Sequence, residues 1–203
     1  MIAFATGAVL VATYLITRMA DIPYRDLTRD PAATLGGPWY TGVLSTGSIV
    51  LLLVGSGIAL FAASFLRESD NRSMKGLLTA TALLMIVVGL DDLFMLHETV
   101  HLEFGTTSAV YLAIYGFTLV AILWMWREVI VGSTDYVFIV LAGVGMGLSI
   151  VVDVIMEQRL FQLPFSGDLI EDPAKIVGMA FMTYYMIVTS HHALTRQSDP
   201  VPG

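Results

Sequence analysis

Apolar residues gather into six stretches, approximately 1–18, 40–66, 76–98, 107–126, 135–156 and 173–193, separated by polar runs. Each is near the ~20 residues that a helix needs to cross the hydrocarbon core of a bilayer. The predicted fold is therefore all-α: a polytopic integral membrane bundle of six transmembrane helices, one domain over residues 1–203.

The polar runs carry the punctuation of such a bundle. Residues 19–39 form the longest interruption, with Pro31 and Gly36-Gly37-Pro38 marking a turn before Trp39 and Tyr40 enter the headgroup region. Trp124 and Trp126 mark the end of the fourth stretch in the same way. Arg67 to Lys75 reads as a short hydrophilic hairpin, and Gly105 as the stop for the third helix. The connection that follows is tight, so the third and fourth helices should be neighbours. Asp172-Pro173 reads as an N-cap with proline at the first helical position. Lys175 then falls in the first turn of the last helix, with Glu171 and Asp172 as its expected ion-pair partners. Within 45–65, Ser48, Gly55, Ser56, Gly57 and Ala59 would let a neighbouring helix approach closely. The segment from Met1 to Thr17 lacks the charged start of a signal peptide, and Arg18-Met19-Ala20 is a poor cleavage site, so it reads as a retained first helix.

Composition sharpens the picture. The chain is 56% apolar and 13% charged, against about 25% charged in soluble domains. With no cysteine, any metal site must be built from His, Asp and Glu. A net charge of −7 with ten scattered basic residues argues against nucleic acid as a partner, since phosphate binding needs clustered Lys and Arg. The eleven methionines lack regular spacing and read as packing.

The candidate chemistry lies in Gly89 to His101, at the end of the third apolar stretch. Charge is expensive at that depth. On a continuous helix Asp91, His97, Glu98 and His101 share one arc and Asp92 points elsewhere. Within it, His97-Glu98-Thr99-Val100-His101 reads H-E-x-x-H, two imidazoles one turn apart with a carboxylate beside them as general base. Over these five residues it resembles zincin metallopeptidases and membrane-embedded metalloproteases. The membrane proteases also carry a distant Asp-Gly motif, which here meets only the reversed Gly167-Asp168. Asp153, Ser149 and the His pair are similar in kind, not in spacing, to the residues of alkaline ceramidase-like proteins. Glu171 four residues before Lys175 resembles the Schiff-base helix of microbial rhodopsins, which have seven helices where six stretches are counted here.

Six antiparallel crossings bring the ends of the first, third and fifth stretches and the start of the sixth to one membrane face. Twelve of the 17 acidic residues fall on that face, an acidic pool that invites a cation. Gly145, Ser149, Asp153 and Glu157 recur every four residues in the fifth stretch as a small-to-acidic stripe. The first expectation is thus a membrane-embedded metal-dependent hydrolase of a lipid or membrane-borne amide or ester. His97 and His101 would be ligands, with a carboxylate from Asp153, Glu157 or Glu171, and Glu98 would activate a bound water. Zinc is favoured, and the donor set also suits iron. Asp91, Asp92, Asp172 and Lys175 would supply the outer shell or a proton relay. The alternatives are a proton- or ion-coupled carrier, with a relay through Asp91, Asp92, Asp153 and Lys175, and an accessory subunit of a membrane complex. Arg67, Arg72, Lys75, Arg127 and Arg196 on the side of the termini, against Arg18, Arg25, Arg29 and Arg159 opposite, place the termini in the cytoplasm of a bacterial inner membrane by the positive-inside rule.

Overall fold

The computed structural model describes residues 40–96, 108–157 and 168–198, together with Val11, Leu15, Met19, Gly36 and Pro38. These described residues form helices and turns only. The chain divides into two compact units, Met1–Val43 and Leu44–Gly203. In the first, Val11, Leu15 and Met19 are helical, and a turn closes where the Thr41 N–H donates to the Pro38 carbonyl at 3.0 Å. The remainder of the 1–18 stretch lies outside the described residues.

The second unit holds α1 (Val43–Phe65), α2 (Glu68–Phe94), α3 (Ser108–Met125), α4 (Arg127–Ser133), α5 (Tyr136–Glu157) and α6 (Asp168–Ser198). α1 and the stretch Asn71–Phe94 of α2 are each long and apolar enough to cross a membrane. α3 and α4, bent by 67°, make a third such span if the pair is one. The expectation of six spans is thereby corrected to two or three among the described residues. α5 contributes a shorter apolar stretch, Tyr136–Val152. α6 carries Glu171, Asp172, Lys175, His191 and His192 along its length, which dilutes its apolar run.

Other boundaries also move. The hydrophilic stretch is helical from Glu68 onward, with Arg67 extended before it and one break at Asn71 (φ −131°, ψ 23°). α2 stops at Phe94, well before Gly105, because Met95 takes the left-handed conformation (φ 52°, ψ 40°) while its N–H still donates to the Asp91 carbonyl. α6 starts at Asp168 and Pro173 lies inside it. Lys175 is therefore beyond the first turn, and the macrodipole argument against a cation there lapses. The fourth apolar stretch does end at Trp126, where the backbone leaves helical geometry (φ −110°, ψ 18°) before α4.

The interior is built from α1, α2 and α6. Leu52, Leu77, Leu78, Met85, Met179, Met182, Tyr185 and Met186 are fully buried. Met74, Met85, Met179, Met182 and Met186 are packing residues, whereas Met19, Met95 and Met125 are exposed, and Met179, Met182 and Met186 do recur at helical spacing along one face of α6. α1 buries Ser48, Ile49, Leu52, Gly55, Ser56, Ala59, Ala62 and Ala63, the small stripe expected from sequence. A methyl group on Gly55 would come within 3.0 Å of Thr183 on α6, whereas one on Gly57 would meet nothing. The opposite face of α1 leaves Val50, Leu51, Val54, Phe61 and Phe65 exposed. Helices apolar on both faces suit a lipid surround, where small residues and close packing replace the hydrophobic effect as the source of association. Two helical hydroxyls are satisfied by their own helix, Ser56 Oγ donating to the Leu52 carbonyl at 2.8 Å and Thr118 Oγ1 to the Ile114 carbonyl at 2.7 Å, whereas those of Thr81, Thr183 and Ser190 are buried without a partner among the described residues.

The closest approach is between α5 and α6. A Cβ on Gly178 would lie 2.6 Å from the Met146 nitrogen, and one on Gly145 would lie 2.8 Å from the Gly178 Cα. α2 and α3 are also neighbours, although residues 95–107 between them make a longer connection than expected.

Candidate functional site

α2, α3, α5 and α6 enclose between them a partly open cavity of about 330 Å³, at the small end of the ~300–1,000 Å³ range of small-molecule sites. Its body is apolar. α2 contributes Leu84, Met85 and Val88, α3 contributes Leu112, Leu119, Val120 and Leu123, and α5 and α6 add Met146, Ile150 and Met179. Its polar groups are Asp91, Asp92, Tyr115, Ser149, Glu171 and Lys175.

The central contact joins α2 to α6. Lys175 Nζ donates to Asp92 Oδ1 at 2.9 Å, with both side chains largely buried. A charged hydrogen bond of this kind is about twice as strong as a neutral one, yet removing both ions from water offsets much of that gain. Glu171 and Asp172 stand close enough to act on Lys175 electrostatically, but the ammonium group bonds across the bundle instead of to its own helix. Asp91 is 4% exposed, and the Tyr115 phenol of α3 interacts with its carboxylate by charge and hydrogen bonding. The second oxygen of Asp92, Oδ2, is buried and makes no hydrogen bond among the described residues.

Consecutive residues of a helix differ by about 100°, yet Asp91 and Asp92 both line the cavity. The helix breaks at Met95, ahead of His97, Glu98 and His101. Those three lie outside the described residues. Asp153 and Glu157 belong to the last turns of α5, and Asp172 is exposed on α6. Among the described residues no group of three or more His, Asp or Glu is placed to hold a metal ion. His191 and His192 sit far along α6 from Lys175, His192 Nδ1 lying 3.8 Å from Asp135 Oδ2 at the start of α5.

Sequence reasoning passes over four residues of the cavity: Tyr115, Gly116, Gly143 and Gly147. A Cβ on any of these three glycines would meet nothing within 4 Å, unlike one on Gly145, two residues from both Gly143 and Gly147. A readable signal exists in hindsight, the G-x-G-x-G run from Gly143 to Gly147, but sequence alone does not separate glycines that close a helix crossing from glycines that leave space.

Residues 2–189 match the family model described as a domain of unknown function (DUF8692), and the chain belongs to that family. No curated protein and no solved structure matches it.

Proposed function

We propose that this chain is a membrane protein that works as a proton- or ion-coupled carrier, with Asp91, Asp92 and Lys175 as the charged groups of its relay. The observation that carries the reading is the Asp92–Lys175 pair in a cavity whose body is apolar. Ionisable side chains at membrane depth are costly and mark ion or proton pathways by default. Asp91, buried beside Tyr115, supplies a second carboxyl within the same cavity, and Asp153 on α5 is the fourth member of the relay expected from sequence. The protein then sits in a bacterial inner membrane with cytoplasmic termini.

The test is proton flux. Purified chain in vesicles holding a pH-reporting dye should dissipate an imposed pH gradient faster than empty vesicles. Asp92→Asn should abolish the difference and His97→Ala should leave it intact. Flux lost in His97→Ala and kept in Asp92→Asn would reject the carrier.

One observation favours the metal-dependent hydrolase as a second reading. Glu171, a candidate metal ligand, lines the cavity, so an apolar substrate tail held there would bring its head to a centre completed by His97 and His101, with Glu98 as base. Elemental analysis of wild type and His97→Ala decides it: bound zinc or iron lost in the variant supports a metal centre, and metal in neither removes it.

A further inference from the structure

We propose that the cavity binds a slender amphiphile made of an aliphatic tail and a protonated primary or secondary amine, and that this is the substrate class of the carrier. The inference rests on the carrier reading for the use of the site, and on three independent observations for its chemistry.

The first is the space itself. Glycine in a helix interior costs about 1 kcal/mol relative to alanine, and a helix crossing usually explains it. Gly145 and Gly178 are explained in that way, since a Cβ on either would strike the partner backbone. Gly143 and Gly147, one turn apart on α5, and Gly116 on α3 close no crossing. Each lines the cavity, and a Cβ there would enter open space. Their missing side chains widen the cavity between α3 and α5, with apolar walls suited to a hydrocarbon chain.

The second observation is charge. The described cavity wall carries the carboxyls of Asp91, Asp92 and Glu171 against the single ammonium of Lys175. A carboxylate or phosphate head would meet the acidic majority, whereas a cation reduces its repulsion. The third is the orphaned acceptor. Asp92 Oδ2 is buried and receives no hydrogen bond among the described residues, while Oδ1 is already taken by Lys175. A buried acceptor without a donor is costly, and an amine head supplies N–H groups where a quaternary ammonium supplies none.

The experiment presents a dodecylamine carrying a mid-chain diazirine to the full chain in phospholipid nanodiscs, and maps the light-induced adducts by mass spectrometry. Saturable adducts on cavity residues of α3 and α5 are expected, displaced by dodecylamine and not by laurate or dodecanol. Gly147→Phe should fill the space and weaken labelling by about tenfold or more, equivalent to ~1.4 kcal/mol, with a melting temperature at or above that of wild type. Should that variant fail to fold, Gly116→Phe fills the cavity from the opposite wall. Asp92→Asn should erase the preference for amine over alcohol. Non-saturable labelling, adducts elsewhere, undiminished labelling in the folded filled variants, or equal displacement by laurate would each overturn the proposal. Intact labelling beside absent proton flux would uphold the ligand and sink the carrier, so the two failures are told apart.

Discussion

A single lysine illustrates how residue-scale reasoning succeeds and where it stops. That Lys175 needs an acidic partner follows from its place in an apolar stretch, but the choice of Asp92 over Glu171 and Asp172 is tertiary. An i, i+4 pair on one helix is worth only a few tenths of a kcal/mol, and a carboxylate presented from a neighbouring helix in a low-dielectric cavity outcompetes it. Asp92→Asn is expected to destabilise the solubilised protein by about 2 kcal/mol, below the ~3–5 kcal/mol of a fully buried pair because some exposure remains. A double-mutant cycle with Lys175→Met, read by thermal unfolding, should show favourable coupling between the two positions, and strict additivity would contradict the pairing. Met95 makes a second case. Nothing in a methionine announces a left-handed residue, yet its φ of 52° carries a strain of ~1 kcal/mol. Met95→Gly should therefore raise stability by about 0.5–1 kcal/mol by the same assay, whereas Met95→Val should lower it.

At the scale of elements, most apolar stretches reappear as helices with shifted ends. Five of the six expected stretches correspond to α1, α2, α3, α5 and α6, because a run of apolar residues in a chain with few breakers has no better way to satisfy its backbone. The errors fall at polar termini. Residues 68–75 and 168–172 are helical although hydrophilic, since backbone hydrogen bonding does not require an apolar side chain. Pro173 is tolerated within α6 close to its start, losing one intrahelical bond rather than a whole turn. α4 is too short to stand out, and at the bend before it the Trp126 ring packs against Gly76, where a Cβ would come within 3.0 Å. The glycines give the prediction proper to this scale. Gly178→Ala should destabilise by 2 kcal/mol or more, roughly the cost of overpacking a tight interface, while Gly147→Ala should be neutral or stabilise by up to about 1 kcal/mol. Denaturation of the two variants side by side checks it, and similar losses in both would mean that Gly147 also closes a contact.

For the whole molecule, the absence of cysteine makes topology directly measurable. Single cysteines at Ser73 and Leu96, near opposite ends of α2 and both exposed, should react with an impermeant maleimide from opposite sides of the membrane. Labelling of both from one side would reject the crossing of α2. What the amino-acid order determined by itself is the class of the protein: helical, apolar on both faces of its long elements, poor in charge, and carrying acids where a bilayer makes them expensive. Those properties are local sums over neighbours in the chain, and any fold of these residues must honour them. Only the packing of helices decided that Asp92 rather than a near neighbour holds Lys175, that Asp91 meets Tyr115, and that three glycines open a cavity while two others close a crossing. Such outcomes depend on distances between helices far apart in sequence, set by shape and by the scarcity of polar partners inside the bundle.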